Sequence, residues 1–225
     1  MKYLVLDAST LISLSGSCLF YVLRDLKMKK GLQPVIPRAV ERESVSRPMS
    51  IKRFELSAVR IAHAIDEGWL EVVDLPGEAV SKCRELGEKA NRIFYSRHGD
   101  IALLQRGEIE GIVLLEHLGS NLFAVDERNT AMLFENPLRL RKLMEKRHHS
   151  KIFCRKDVLQ QFRSLLPSAV LVRSSEIVAF AYGSGFLNAE LGTGKKALEA
   201  ALYSLKFMGC AVSIREIDNY VRGHK

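Results

Sequence analysis

The feature that most constrains the fold is a short apolar segment that ends in a carboxylate and occurs twice. Residues 3–6 (YLVL) stop at Asp7, and residues 122–125 (LFAV) stop at Asp126. Continuous apolar runs of this length are typical of strands that are buried on both faces, as in parallel sheets. A helix pattern follows each run, so the two acids are expected at the same edge of one sheet. A cap on the following helix is the alternative interpretation of Asp7.

The order of the other segments predicts an α/β protein with three layers, α/β/α, around a central parallel sheet. The expected strands lie near residues 3–6, 34–36, 69–73 and 122–125. Helical patterns between them cover residues 51–67 and 78–95. Strands that alternate with helices form parallel, right-handed units with helices on both faces of the sheet.

The pattern changes in the last third of the chain. We interpret residues 1–150 as the α/β domain and residues 151–225 as a mainly helical C-terminal extension or small domain. Residues 169–172 are either a last strand or a linker. Helices are expected at residues 177–182, 195–208 and 214–221.

Composition favours a polyanionic partner, because 34 Lys and Arg outnumber 26 Asp and Glu and the formal net charge is +8. No apolar run approaches the length of a membrane span, and the N-terminus lacks a signal-peptide pattern. The expectation is a cytoplasmic protein with no membrane partner. Four widely separated cysteines without a C-x-x-C pair predict free thiols rather than a zinc site.

Two further regions supply acidic candidates for a site. After Pro37, the residues Val40 and Glu43 follow one helix face, whereas Glu41 lies about 200° around the helix from Glu43 and should face elsewhere. Glu108 and Glu110 open a helix that is apolar nearly all round. Burying two acids there is costly unless a cation or hydrogen bonds compensate.

Three segments together resemble a PIN domain: LVLDASTLI, VIPRAVERES and RGEIEGIVLLEHLGSNLFAVDERNTA, spread over roughly residues 1–140. Members of that family are similar in fold to flap-type nucleases, and many cut RNA with magnesium or manganese. The resemblance implies a divalent-metal-dependent endoribonuclease that hydrolyses RNA phosphodiesters. The alternative is a non-cleaving RNA-binding or assembly protein in RNA or ribosome maturation.

The resemblance also implies the site residues. The four acids that match the family's catalytic and metal-binding positions are Asp7, Glu43, Glu110 and Asp126. Supporting roles fall to Ser9, Glu108 and Glu127, with Glu110 expected to face the site in preference to Glu108. One departure is Ala124, where many members have Ser or Thr two residues before the fourth acid. The missing hydroxyl removes a hydrogen bond that would orient the site for cleavage.

An oxygen-only ligand set suits Mg²⁺ or Mn²⁺ as the cofactor. Four converging carboxylates repel one another, and their pKa values rise unless a divalent cation neutralises them. No histidine is required, and the six histidines of the chain show no ligand spacing.

The expected partner is RNA, and a basic run is expected to contact it. Between residues 139 and 156 eight Lys and Arg are opposed only by Glu145. The candidate RNA-binding residues in this run are Arg139, Arg141, Lys142 and Lys146. An ordinary solvated helix face is the alternative. A homodimer is compatible with the sequence, and an antitoxin partner is not indicated.

Two nucleotide-binding interpretations are disfavoured. The first strand is followed by Asp-Ala-Ser-Thr instead of a glycine-rich loop, which a dinucleotide-binding domain requires. Residues 192–195 (GTGK) lack both the first glycine and the final Ser or Thr of a phosphate loop.

Overall fold

The computed structural model describes residues 2–223, and in it helices flank both faces of a five-stranded parallel sheet. The strands are β1 (Lys2–Leu6), β2 (Leu32–Pro37), β3 (Glu71–Val73), β4 (Phe94–Ser96), β5 (Gly99–Asp100), β6 (Leu122–Ala124), β7 (Phe153–Cys154) and β8 (Val170–Val172). The main sheet has the order β3-β2-β1-β6-β8. The predicted α/β class with a central parallel sheet is confirmed.

Thirteen α-helices lie within residues 2–223. They are α1 (Ala8–Gly16), α2 (Tyr21–Lys30), α3 (Arg38–Glu41), α4 (Lys52–Asp66), α5 (Gly77–Ala90), α6 (Arg106–His117), α7 (Arg128–Glu135), α8 (Pro137–His148), α9 (Lys156–Leu165), α10 (Ser174–Gly183), α11 (Asn188–Leu191), α12 (Lys195–Phe207) and α13 (Ile214–Gly223). A π-helical turn (Arg42–Ser46) and a 3₁₀ turn (Pro48–Ser50) join α3 to α4.

The alternating side chains of β1 divide the core into two clusters. Leu4 and Leu6 belong to the first core cluster, which α1, α2, α4, α10 and α12 cover. Val5 points the other way into the second core cluster, beneath α5, α6, α8 and α9. Successive side chains of a strand point to opposite faces, so one continuous apolar run serves both layers.

One predicted helix is wrong at its C-terminal end. The helix expected over residues 78–95 ends at Ala90, and residues 94–96 form β4, which pairs antiparallel with β5 and β7. These three strands are two or three residues long. A period of two residues cannot show itself in segments so short, which is why the sequence pattern does not predict this small sheet.

The C-terminal segment joins the same core. Residues 170–172 form β8 and pair with β6, so this stretch is a strand and not a linker. Ile177, Leu198 and Leu202 are buried in the first core cluster, and the three expected helices are present as α10, α12 and α13. Whether residues 1–150 fold without this segment stays a prediction.

The order of the strands places a crevice beside β1. The chain proceeds from β1 to β2 and β3 on one side, and β6 and β8 lie on the other. Open α/β sheets bind ligands at the carboxyl ends of the strands where this order reverses. Asp7 follows β1 and Asp126 follows β6, so both acids lie at one edge, as predicted.

Two further features bear on the expectations from composition. Within residues 2–223, none of the helices combines the length and the apolarity that crossing a membrane requires. All four cysteines are free thiols.

Candidate active site

A cleft of about 340 Å³ opens at the carboxyl ends of β1 and β6. Four elements each contribute one carboxylate to its wall: Asp7 from the start of α1, Glu43 from the π-helical turn, Glu108 from α6 and Glu127 from the start of α7. Arg47 and Gln105 complete the polar lining. We call this the acidic cleft. Acids that are up to 120 residues apart in sequence meet there because the sheet brings their strands together.

Asp7 is held by the first turn of α1. Its Oδ2 atom accepts hydrogen bonds from the Ser9 amide at 3.1 Å and the Ser9 hydroxyl at 2.7 Å, so Asp7 is also the cap of α1. The Ser9 hydroxyl accepts in turn from the Asp126 amide at 3.1 Å. Burial raises the pKa of Asp7, and its bonds to Ser9 oppose this rise. Ser9 therefore ties the ends of β1 and β6 together.

Glu43 faces the acidic cleft and Glu41 does not, as predicted. Glu41 accepts a hydrogen bond from the Ser46 hydroxyl at 2.8 Å in a solvent-exposed position. Desolvation first and the charge of Asp7 second raise the pKa of Glu43, while the Gly107 amide and Arg47 lower it. A Cβ atom on Gly107 would lie 2.8 Å from Glu43 Oε2, so α6 passes very close to this carboxylate.

Glu108 is held on the wall of the acidic cleft by two hydrogen bonds. It is buried at the third position of α6, where its Oε2 atom accepts from the Gln105 amide at 2.8 Å. Its Oε1 atom accepts from the Thr130 hydroxyl of α7. Burial, followed by the charge of Asp7, raises the pKa of Glu108 to about 8. Without a nearby cation this side chain is therefore largely protonated at neutral pH.

The prediction that Glu110 faces the site in preference to Glu108 is wrong. Glu110 Oε2 accepts from the Ala39 amide at 2.9 Å, and Oε1 pairs with Arg106 at 2.7 Å. Two residues correspond to about 200° around a helix, so only one acid of the pair can face the cleft. Because α6 begins at Arg106, Glu108 falls in its first turn and caps it, while Glu110 is left facing α3.

Asp126 and Glu127 exchange the roles expected of them. Asp126 is buried, and its two carboxylate oxygens accept from the amide and the hydroxyl of Ser174 at 2.7 and 2.6 Å. Glu127 is the neighbour that lines the acidic cleft. Desolvation and the charge of Asp7 raise the pKa of Glu127, and Arg147 of α8 lowers it. Glu127 thus contributes the fourth carboxylate of the cleft, although the resemblance selects Asp126.

The electrostatics of the acidic cleft favour a bound cation. All four carboxylates have raised pKa values, in each case chiefly through desolvation, and the charge of Asp7 contributes to the other three. A divalent cation reverses this situation by stabilising the charged forms. Within residues 2–223, no group of three or more His, Cys, Asp or Glu side chains is arranged closely enough to hold a metal ion. The chemistry of the donor set nevertheless fits Mg²⁺ or Mn²⁺, which bind carboxylate oxygens and keep several waters.

The basic run lies beside the acidic cleft. A neighbouring hollow of about 500 Å³ is lined by Glu127 together with Arg128, Lys146 and Arg147. Arg139, Lys142 and Lys146 are exposed on α8. Among the described residues, none of these five cations forms an ion pair. They are free to contact a polyanion.

Arg141 departs from the predicted RNA-contacting set. It is only partly exposed, its Nε atom is buried, and its charge acts on the Cys154 thiol of β7. Residues 139 and 141 lie about 200° apart around α8, so they cannot share a face. The structure therefore places Arg141 away from the surface that Arg139, Lys142 and Lys146 form.

Comparisons with known proteins add nothing to this geometry. Neither protein-family models nor curated proteins nor solved structures match this chain. The argument for a function therefore depends on the acidic cleft and on the residues around it.

Sequence reasoning did not select several residues that position the acids. Thr130 follows Glu127 by three residues, a helical spacing that could have suggested a shared face with the site. Arg147 belongs to the basic run between residues 139 and 156, but nothing local in the sequence assigns it to the cleft. Arg47 carries no local signal, because only tertiary structure brings it to the cleft. Ser174 is equally hidden, since its hydroxyl meets Asp126 across 48 residues.

Proposed function

We propose that this protein is a divalent-metal-dependent endoribonuclease of the PIN type, which hydrolyses RNA phosphodiesters in the acidic cleft. The observation that carries the proposal is the meeting of four carboxylates with raised pKa values at the point where the strand order reverses. The flanking cations, which have no ion-pair partners among the described residues, supply a surface for the RNA backbone.

Asp7, Glu43, Glu108 and Glu127 would hold the metal. When bound, Mg²⁺ or Mn²⁺ supplies a more acidic water and compensates the charge of the reacting phosphate. Hydrogen bonds within the protein hold two of these carboxylates in place before a metal binds. Ser9 fixes Asp7, while Thr130 and the Gln105 amide fix Glu108, so these carboxylates keep their places in the cleft. Preorganised ligands reduce the reorganisation that binding would otherwise require.

Two arginines beside the carboxylates would contact the substrate. Arg47 lies at the acidic cleft close enough to lower the pKa of Glu43, and Arg147 lowers that of Glu127. Both guanidinium groups are placed to bind non-bridging phosphate oxygens, for which their planar set of donors is suited. They would hold the phosphodiester against the carboxylates without taking part in proton transfer.

Two observations favour the alternative, a non-cleaving RNA-binding or assembly protein. Asp126 matches the family's fourth acid, and in this structure Ser174 occupies both of its carboxylate oxygens. Ala124 also lacks the hydroxyl that many members have two residues earlier. These features fit a cleft that binds RNA and metal without cleaving the RNA.

The deciding experiment is an RNA cleavage assay with Mn²⁺, Mg²⁺ or EDTA, on the wild type and on Asp7→Asn. We expect metal-dependent cleavage by the wild type and its loss in Asp7→Asn. Saturating Mn²⁺ should stabilise the wild type by about 2.7 kcal/mol at a hundredfold excess over Kd, and Asp7→Asn should lose most of this increment. Glu41→Gln is the matched control, because Glu41 lies two residues before Glu43 and points away from the acidic cleft, toward solvent.

The two functions give different results in this assay. RNA binding and Mn²⁺ stabilisation without cleavage would establish the non-cleaving alternative. A wild-type protein that neither cleaves RNA nor responds to millimolar Mn²⁺ would exclude the nuclease.

A further inference from the structure

A second polar cavity lies on the other side of α3 and α6 from the acidic cleft. It has a volume of about 560 Å³ and is lined by four arginines: Arg38, Arg42, Arg84 and Arg106. The acids in its lining are Asp74 and Glu110. We call this cavity the arginine pocket. Its volume lies in the range of pockets that hold small ligands.

The arginines of this pocket are not balanced by its acids. Arg38 forms a two-pronged pair with Asp74, at 2.9 and 2.8 Å, and Arg106 pairs with Glu110. Arg42 and Arg84 are exposed, and among the described residues neither side chain forms an ion pair or hydrogen bond. Two guanidinium groups therefore remain available, at the edge of a cavity whose acids are already paired.

The arginine pocket and the acidic cleft share a wall. Arg42 is adjacent in sequence to Glu43, and Arg106 is adjacent to Gln105, so the same two helix starts contribute to both cavities. Arg106 lies close enough to Glu43 for the charges to interact. A polyanion that occupies the acidic cleft can therefore continue into the arginine pocket.

The opposite side of the acidic cleft is also cationic. Glu127 lines both the cleft and the hollow that contains Arg128, Lys146 and Arg147. Positive charge thus lies on both sides of the carboxylates. This arrangement suits a chain that extends in both directions from the phosphate in the cleft.

We propose that the arginine pocket binds a backbone phosphate of the RNA strand, on the side of the acidic cleft opposite α8. The identity of the ligand as RNA rests on the proposed function. Arg42 and Arg84 contact this phosphate directly, while Arg38 and Arg106, fixed by their carboxylate partners, shape the pocket. Arginine suits this role because its planar fork of donors matches phosphate oxygens.

The test compares the double variant Arg42→Gln/Arg84→Gln with the control Arg163→Gln/Arg215→Gln. The control arginines are exposed, have no side-chain partners among the described residues and lie outside the three cavities, so the change in net charge is the same. Binding of a labelled single-stranded RNA is measured in EDTA over a series of salt concentrations. We expect the pocket variant to raise Kd at least about fivefold and to reduce the salt slope by roughly 1 relative to the control.

A thiol in the pocket gives a second measurement. Cys83 is partly buried in the lining, whereas Cys18 is exposed elsewhere. RNA should slow the alkylation of Cys83 in the wild type but not in the pocket variant, and Cys18 should react equally in both. Cleavage of a small aryl phosphodiester, which occupies only the acidic cleft, should not differ between the pocket variant and the control.

The outcomes separate this inference from the proposed function. If the wild type cleaves RNA and the pocket variant binds RNA as the control does, the phosphate site is wrong and the nuclease remains. If arginine-dependent binding and Cys83 protection are found without any cleavage, the nuclease is wrong and the phosphate site remains. Cys83 protection that persists in the pocket variant would also overturn the site.

Discussion

At the scale of the residue, the tertiary structure changes the acidity of Glu108. The pKa of a glutamic acid is ordinarily 4.5, and burial beside Asp7 raises that of Glu108 to about 8. Between these values the folded protein binds a proton that the unfolded chain has released. This group therefore makes the free energy of unfolding fall as the pH rises through that window.

Glu108→Gln should remove this pH-dependent loss of free energy of unfolding. In metal-free protein, we expect the variant to exceed the wild type in free energy of unfolding by on the order of 1–3 kcal/mol at pH 8 and by less near pH 5. Denaturant unfolding in EDTA at several pH values measures the difference. Glu110→Gln serves as the control, because Glu110 lies outside the cleft, paired with Arg106. Equal pH profiles for Glu108→Gln and wild type would contradict the raised pKa.

At the scale of the element, helix α6 comes close to the acidic cleft at one glycine and close to the core at another. A Cβ atom on Gly107 would meet Glu43 Oε2 at 2.8 Å, and one on Gly111 would meet the Phe123 ring at 2.9 Å. The first neighbour is the end of a flexible side chain. The second is a ring that is fully buried in the second core cluster. Substitution at the two positions should therefore affect different properties.

Gly107→Ala should displace the Glu43 carboxylate while the fold is kept. Alanine favours a helix over glycine by about 1 kcal/mol, which offsets the crowding. Under the proposed nuclease function, we expect RNA cleavage to fall by about tenfold or more, because small displacements of site groups are costly to catalysis. The free energy of unfolding should stay within about 1 kcal/mol of the wild type. Metal-saturated kcat/KM and denaturant unfolding are the measurements.

Gly111→Ala should show the opposite behaviour. The added methyl group presses on the Phe123 ring, and overpacking of a core typically costs about 1–3 kcal/mol. The loss should appear in the free energy of unfolding, whereas kcat/KM of the folded fraction should change little. A Gly107→Ala variant with full activity would show that Glu43 is not needed in its present position.

At the scale of the whole molecule, the C-terminal segment completes both the sheet and the first core cluster. It supplies β8 as the strand next to β6, and α10 and α12 cover one face of the sheet. Ser174 also holds the Asp126 carboxylate. The C-terminal segment is therefore part of the scaffold on which the acidic cleft is built.

A chain that ends at residue 150 should not unfold cooperatively. Loss of the C-terminal segment would expose β6 along one edge and uncover the apolar side chains of the first core cluster. Too little buried surface would then remain for a stable fold. Circular dichroism and thermal unfolding of the truncated chain, beside the full chain, test this expectation. A truncated chain with a sharp melting transition would show that the division near residue 150 separates two autonomous units.

If the truncated chain aggregates, a point variant still tests whether the C-terminal segment stabilises the fold. Ser174→Ala removes one of the two hydrogen bonds that the segment donates to buried Asp126. Hydrogen bonds to charged groups contribute about 1.5–3 kcal/mol, so the free energy of unfolding should fall by that order. Ser164→Ala, at an exposed hydroxyl of α9, should change it by less than about 0.5 kcal/mol. Equal stability of the two variants would show that Ser174 contributes nothing through Asp126.

The sequence by itself determined the class of the fold and the position of Asp7. Continuous apolar runs, helix periods and the residues that end them are local properties, and they predicted β1, β2, β3 and β6 with an acid after β1 and after β6. The choice of Glu43 over Glu41 is local too, because both lie on one short helical segment. These predictions needed no knowledge of which segments meet.

Only the tertiary structure decided which acids share the cleft. Whether Glu108 or Glu110 faces it depends on the residue at which α6 begins, and sequence patterns locate helix ends only to within a few residues. Asp126 is held by Ser174, which comes from a distant segment, and Glu127 lines the cleft instead. The arginine pocket likewise gathers side chains from three helices. Such contacts depend on long-range packing, which no local period in the chain encodes.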